Sequence, residues 1–491
     1  METTTQKNDL VLDVHENPKS ISQWILLSLQ HILAMFVACI TVPLIIGTSI
    51  PATIISAGVG TLIYILFTQK KSPVVLSSSF AYLSSMAVAF ALDANPNDAN
   101  SGNYLALAIG MTIVGLIYVL VAFIVKKAGT GWLFKLLPTI VVGPVIMVIG
   151  LGLAGSAISN LTGANVGTYN LVYIFCGIVA LFVTAITAHY GKKTLSLIPF
   201  VIGMLAGYGV ALIFTGIGYA ANWDYAKVID FSPIVNNFKN FGVSSIIGYD
   251  CFAFLQFNNG TFEWSQLVTI VLAFAPVSFV TICEHIGDHL NLSGVIHKDL
   301  LKDPGLPRTL AGDGVATAVS GFLCGCANTT YGENVAVVGV TKVASVSVIT
   351  TACIATIALG FFTPLMVIVQ TIPACVTGGV SLVLYGFIAS SGVKMLINER
   401  VDFSKTRNIF IAASILVAGI GGLNIVIPAG DQSITITGTA VAMILGILLN
   451  LILKEKKEDK ACPECTECAE CPETETAEPV APAEETEKTE S

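Results

Sequence analysis

Charge is what this chain has least of: Asp, Glu, Lys and Arg make up 11% of its 491 residues, while 54% are hydrophobic. Soluble domains carry roughly a quarter charged residues, so a soluble fold is excluded, and nothing in the pattern calls for a nucleic-acid partner or a cofactor. No cleavable signal peptide is expected, because the first twenty residues are polar and acidic and lead straight into a full-length apolar run. A disulfide framework is lacking as well. Of 12 cysteines, eight (Cys39, Cys176, Cys251, Cys283, Cys324, Cys326, Cys353, Cys375) are scattered through apolar runs or joints, where free cysteine behaves as a small hydrophobe. The net charge of -8 owes much to the segment after Lys460 and says little about partners.

Apolar runs fill the space that charge leaves. A hydrocarbon core of about 30 Å takes roughly 20 helical residues, and runs of that order recur from Ile25 to Leu453. The chain reads as an all-α polytopic membrane protein of about 14 segments, near 24–46, 51–68, 73–92, 104–125, 132–156, 167–188, 194–217, 266–289, 309–325, 330–341, 345–369, 375–396, 408–427 and 431–453. Basic residues fall at every second joint: Lys70 and Lys71, Lys126 and Lys127, Lys192 and Lys193, Lys298 to Arg308, Lys342, Lys394 to Arg407, and Lys454 to Lys460. The opposite joints, such as "DANPNDANSGN" and "VIPAGDQS", hold no Lys or Arg; only the long segment 218–265 carries Lys227 and Lys239. Positive loops stay inside, which predicts both termini in the cytoplasm.

The segment 218–265 divides the chain into two halves of seven spans, 24–217 and 266–453, flanked by a cytoplasmic N-terminus (1–23) and a tail (454–491). An odd number per half turns the second half upside down relative to the first, the inverted-repeat plan of secondary transporters. Segments 3 and 10 echo each other with "SSSFAYLSS" and "NTTYGEN". Both are expected to hold short non-helical stretches, which membranes tolerate only inside protein or along a cavity.

Carboxylates mark the chemistry. "APVSFVTICEHIGDHLNLSG" puts Glu284 and Asp288 four residues apart, on one face of the eighth span. A charge at mid-membrane costs roughly 2.5–3.5 kcal/mol on insertion scales, so this face must point into the protein. A cytoplasmic, solvated Asp288 is the alternative, and His285 and His289, rotated off the face, read as packing or interfacial residues. Glu333 follows Tyr331, a flat ring, and Gly332, which allows close approach to the backbone; a helix starting near Asn334 leaves amide N–H groups free. A capping role for Glu333 is the alternative. Carboxylates accept from N–H and backbone amides donate to C=O, so the set suits a pyrimidine or purine oxo-base. Buried acids can exchange protons near neutral pH, which suggests proton symport through Glu284, Asp288 and Glu333. Sodium would also suit oxygen ligands.

At these residues the sequence resembles the nucleobase/ascorbate transporter family, and within it the bacterial uracil permease branch. The likeness rests on "LSLQHILAMF", "KKAGTGWLFKLLP", "EHIGDH", "KDLLKDPGLPRTLAGDG", "NTTYGEN" and "GGVSLVLYG", spread over nearly the whole membrane portion. It implies a core domain (segments 1–4 and 8–11) and a gate domain (5–7 and 12–14), alternating access, and often a homodimer. It also implies that Glu284 and Glu333 hydrogen-bond the base, with the backbone of Phe80 and Gly332 helping and Ala38, Tyr331 and Tyr385 shaping the pocket. Two departures stand out: Asp288 where some members have His, and Ala336 where the family usually has Gly. The expected function is proton-coupled uracil import into the cell, with a purine oxo-base (xanthine, guanine or urate) as the alternative substrate and an anion exchanger of the same fold as a further rival. An intramembrane enzyme using Glu284 and Glu333 lacks any nucleophile or metal-ligand set. In the acidic tail, Cys462, Cys465, Cys468 and Cys471 recur every third residue. That spacing resembles part of a ferredoxin-type or zinc ligand run, but no surrounding fold is there to bury a cluster, and the tail reads as an accessory segment.

Overall fold

The structure is a computed structural model and describes residues 10–92, 102–164, 167, 169–192, 195, 198–239, 241–248, 264–429 and 432–453. The cysteine-bearing tail lies outside the described residues. In chain order the helices are α1 (Ile21–Ile46), α2 (Ile50–Phe67), α3 (Leu83–Ala91), α4 (Tyr104–Ala128), α5 (Gly131–Leu136), α6 (Thr139–Gly152), α7 (Ala154–Thr162), α8 (Leu171–Tyr190) and α9 (Pro199–Ala220). They continue as α10 (Ser232–Lys239), α11 (Trp264–Ile296), α12 (Leu306–Phe322), α13 (Gly332–Thr341), α14 (Val346–Gly360), α15 (Thr363–Gln370), α16 (Ala374–Asn398), α17 (Thr406–Ile420) and α18 (Gly438–Ile452). Among the described residues, 8 helical stretches are long and apolar enough to cross a membrane: α1, α2, α4, α6 running into α7, α8, α9, α11 and α16. Three shorter apolar helices, α14, α17 and α18, accompany them.

The sequence-based boundaries differ most at three places. The eighth apolar run becomes a 33-residue helix reaching Ile296, well past the expected end near 289. The expected span near 132–156 is broken into α5, α6 and α7, with Pro138 leading into α6. The joint before the last span is a hairpin, in which β3 (Ile425–Ala429) pairs antiparallel with β4 (Gln432–Ile436), so α17 and α18 are shorter than predicted. Three β-branched residues run together in each strand, Ile425 to Ile427 and Ile434 to Ile436, and β propensity overrides the apolar run.

The two predicted breaks are present, and they meet. β1 (Leu76–Ser78) pairs antiparallel with β2 (Asn328–Thr330), in the register Leu76 to Thr330, Ser77 to Thr329 and Ser78 to Asn328. Backbone polar groups without water must be bonded internally, and neighbouring hydroxyls and amides complete this two-stranded patch. The Leu76 N–H donates to Thr61 Oγ1 at 2.9 Å, Thr317 Oγ1 donates to the Asn328 carbonyl at 2.8 Å, and Asn328 Nδ2 donates to the Ser56 carbonyl at 3.1 Å. The Ser79 N–H reaches the Ala327 carbonyl at 2.8 Å, and the Tyr331 N–H reaches the Val75 carbonyl at 3.1 Å. Each strand then runs into a helix start, α3 and α13.

Small residues let the surrounding helices come close, as is usual where lipid removes the hydrophobic drive between spans. A Cβ on Gly115 of α4 would lie 2.7 Å from the Gly314 carbonyl of α12, and one on Gly379 of α16 would lie 2.0 Å from the Gly177 carbonyl of α8. The basic joints gather at one end of the bundle: Lys71 pairs with Asp303 at 2.6 Å, Arg308 donates to Gln69 at 2.7 Å, and Lys298 pairs with Asp13 at 2.7 Å. Segment 11–14 runs as a strap along the chain that follows α13, with Val11 N–H to the Lys342 carbonyl at 2.7 Å and Ala344 N–H to the Leu12 carbonyl at 2.9 Å.

Candidate functional site

Between α11 and the two broken elements lies a cavity of about 60 Å³. Glu284 comes from α11, Glu333 from the first turn of α13, and Phe80 from the link between β1 and α3. Tyr331 and Gly332 at the start of α13 complete the predicted residues on its wall. Ser78, Ser79, Ala81, Thr329 and Thr330 line it as well, and Ile146 and Ile149 of α6 with Ile388 of α16 close the far side. Among the described residues no Lys or Arg lines it. Ser79 Oγ and Thr329 Oγ1 are buried there with no protein partner, so both hydroxyls are free to bond a guest. Ligand pockets usually measure about 300–1,000 Å³, so this arrangement is nearly closed.

Tyr331, Phe80, Ala38 and Tyr385 are all buried. Ala38 and Tyr385 do not line the cavity; Tyr385 instead meets the Phe80 ring edge-on, with centroids 6.0 Å apart. Asp288 is not a solvated helix end, because α11 continues two turns beyond it and its Oδ2 accepts from Thr330 Oγ1 at 2.8 Å. A Cβ on Gly332 would lie 3.3 Å from the other Asp288 oxygen, so this glycine keeps room for the carboxylate as well as for a guest. The N-cap of α13 is Tyr331, whose side chain makes no cap bond, and Glu333 stands in the first turn with its carboxyl bonded to its own backbone N–H. Ala336 is exposed and closes no helix contact. Asn334, the next residue after Glu333, has its Oδ1 3.1 Å from His31 Nδ1, which ties α13 to α1.

A second polar set, invisible to spacing arguments, lies on another face of α11. His285 Nδ1 is 2.8 Å from Asp313 Oδ2 of α12, both side chains at most 1% exposed. His289 is equally buried. Its Nδ1 lies 2.7 Å from the His285 carbonyl and its Nε2 lies 2.6 Å from the Tyr64 hydroxyl, itself 2.9 Å from Ser72 Oγ. A carbonyl can only accept, so Nδ1 carries the proton; in the neutral ring Nε2 accepts from Tyr64, and Ser72 donates to Tyr64. The histidines are therefore packing residues, as expected, but bonded rather than interfacial. Asp313 was missed because "AGDGVAT" reads as the edge of a basic joint, and the isoleucine wall because nothing separates it from lipid-facing isoleucines. Among the described residues no group of three or more His, Cys, Asp or Glu could hold a metal ion.

The family model described as "Permease family" matches residues 22–427. The chain belongs to the nucleobase/ascorbate transporter family. Its members are permeases, that is, membrane transporters rather than enzymes. A uracil permease of Bacillus caldolyticus is 41% identical over 91% of this chain and 95% of its own length. One of Bacillus subtilis (strain 168) is 38% identical over 92% and 97%, and one of Escherichia coli (strain K12) 36% over 90% and 94%. Among solved structures, the transmembrane domain of the cyanobacterium bicarbonate transporter BicA superposes with a TM-score of 0.58 at 13% identity, over 89% of this chain and 98% of that one. The murine Slc26a9 anion transporter in its inward-facing state gives 0.59 at 11% identity, over 89% and 69%. At such identities the likeness shows the fold alone: this family member shares the architecture of those membrane transporters.

Proposed function

We propose that this chain imports uracil by proton symport through alternating access. The observation that carries the reading is that Glu284 and Glu333, from two different elements, border one small cavity together with Gly332 and Phe80. A uracil edge presents both N–H and C=O. The carboxylates accept from its N–H groups, the first amides of α13 donate to its carbonyls, and Phe80 covers its face. Ser79 and Thr329 supply further hydroxyls. The uracil permeases among the relatives favour one ring over a fused purine. Anion exchange fits poorly with carboxylates at this point.

In the proposed architecture 14 segments form inverted repeats over 24–217 and 266–453, and the antiparallel pairing of β1 with β2 supports a two-fold relation between them. Segments 1–4 and 8–11 make the core, and 5–7 and 12–14 the gate. Ile146, Ile149 and Ile388 then belong to the gate and face core residues across the cavity, so sliding of one domain on the other would open and close it. The transporter sits in the bacterial cytoplasmic membrane as a homodimer with both ends inside. Glu284, Asp288 and Glu333 exchange the coupling proton, with sodium as the alternative ion.

Uptake of radiolabelled uracil into proteoliposomes under an imposed inward proton gradient tests this. Glu284→Gln and Glu333→Gln should each lower affinity by roughly 10- to 150-fold, the worth of a hydrogen bond to a charged group, about 1.5–3 kcal/mol. A parent protein that neither takes up nor binds uracil overturns the assignment, and competition by xanthine or guanine alone would move it to purines. Uptake driven by a sodium gradient and indifferent to protons would replace the coupling ion.

A further inference from the structure

At the end of the bundle where the basic joints gather, a slot of about 620 Å³ opens between α1, α2 and α14, away from the carboxylate cavity. Its chemistry is graded. At one end stand His15 of the N-terminal strap, Lys70 and Ser347; at the other stand Leu62, Ile65 and Leu66 of α2. The same helices also present outward-facing Ile25 at 62%, Leu66 at 68% and Ile354 at 58% exposure. Trp24 is fixed in the wall by its Nε1–H, which donates to Thr351 Oγ1 at 2.9 Å, and tryptophan with one wet and one apolar side belongs at a membrane interface.

Lys70 differs from the three paired lysines of this end. Lys71, Lys298 and Lys302 are each paired with an aspartate, Asp303, Asp13 and Asp299. Among the described residues Lys70 has no carboxylate within ion-pair distance. Its place is set by the backbone: Gln69 and Lys70 both take left-handed φ, 55° and 59°, and the Lys70 N–H bonds the Ile65 carbonyl at 2.9 Å. A non-glycine residue in that region costs free energy, and two in succession hold the lysine at the mouth of the slot.

We propose that this slot holds one anionic phospholipid, its phosphate on Lys70 and an acyl chain along Leu62, Ile65 and Leu66. A free phosphate would use the cation but leave the apolar wall bare; a neutral lipid would use the wall but not the cation. Basic pockets between spans are known to take anionic headgroups by this combination. The floor of the slot, Val14 and His15, belongs to the strap that bonds the chain just after α13, so the bound lipid also braces that strap.

The test uses the full chain in nanodiscs of phosphatidylcholine doped with a photo-crosslinkable phosphatidylglycerol, followed by peptide mapping. Labelling should concentrate in residues 62–70 and 346–351 and fall at least about five-fold in Lys70→Glu, the weight of one basic residue near an anionic surface. Lys127→Glu, a cation at the end of α4, should label like the parent, and melting curves of both variants confirm that they fold. Equal labelling of Lys70→Glu, equal labelling by a phosphatidylcholine probe, displacement by glycerol 3-phosphate alone, or a cross-link of this slot to a second copy would each overturn the proposal.

Discussion

Replacing Gly332 by alanine should cost most of the uracil affinity while leaving the fold about as stable. The new Cβ would stand 3.3 Å from Asp288 Oδ1, closer than ordinary contact, so the carboxylate must turn away by a few tenths of an ångström. Its other oxygen accepts from Thr330 at 2.8 Å. Loosening half of a bond worth about 1.5–3 kcal/mol loses about 1 kcal/mol. The methyl group also enters a cavity of only about 60 Å³, where it crowds the Gly332 N–H; losing one neutral hydrogen bond there adds about 1 kcal/mol. The first loss falls on the fold, and the second predicts a roughly five-fold rise in Kd and in the KM of uptake. Alanine meanwhile favours the helix by about 0.5–1 kcal/mol over glycine, and Gly332 has no left-handed φ to forbid it. Gly339→Ala is the control: it lies on the same helix, and its Cβ would meet only Val295 at 3.8 Å. Equilibrium binding, uptake kinetics and a melting curve on the three proteins decide it. A Gly332→Ala protein that binds uracil like the parent, or one that unfolds, refutes the geometry argued for Asp288 and the start of α13.

Other perturbations should separate the site from its frame. Asp313→Leu strips the buried His285 Nδ1 of its partner and should destabilise by about 1–3 kcal/mol, whereas Asp313→Asn keeps an acceptor and should cost less; equal melting points would refute the pairing. Gly379→Ala drives a methyl to 2.0 Å from the Gly177 carbonyl, a backbone atom that cannot step aside, so expression and melting temperature should drop, while Gly386→Ala, with nothing within 4 Å, should be neutral. On the strap, burial opposes the charge on Asp13, yet hydrogen bonds from Lys298 and the Val14 N–H hold its carboxyl below the usual 3.8. A depressed folded-state value means that this stabilisation is present above the unfolded value and lost as pH falls through the folded one. Protection of the Leu12 and Ala344 amides, relative to the intrinsic exchange rate at each pH, should therefore fall on acidification and lose that pH dependence in Lys298→Ala; the partly exposed pair is worth no more than about 1 kcal/mol.

How much of this was legible in the sequence depended on whether a feature is local. Glu284 and Asp288 share a helix face by spacing alone, and the hydroxyl-rich breaks around Ser78 and Thr329 announce themselves because such runs make poor spans. Apolar length locates the long helices for the same reason. What spacing cannot give is partnership: that β1 pairs with β2, that Tyr385 reaches the cavity only through Phe80, or that His285 finds Asp313 on a helix 28 residues further on. Apolar walls are silent too, since Ile146 and Ile388 carry no mark of facing a site rather than lipid.

The two polar faces of α11 bear on each other. Thr281 lies 2.8 Å from the hydroxyl of Tyr82, His285 bonds Asp313, His289 bonds Tyr64, and Asp288 accepts from Thr330. These bonds leave the helix in four directions, to the link before α3, to α12, to α2 and to β2. Turning α11 by one residue would break all of them; at about 1 kcal/mol net for each, several kcal/mol hold its rotation. Burial makes the real cost larger, because orphaned groups would find no water. Since Tyr82 sits two residues after Phe80, the same bonds that point Glu284 at the cavity also fix the stretch that carries the ring opposite it. The acids face a nearly closed pocket while the other side of the helix is bonded to three neighbouring elements. A substitution on that hidden face, such as His289→Leu, should weaken uracil binding without touching the cavity, with KM rising before the melting point falls; a loss of stability with KM unchanged would mean that the two faces are independent.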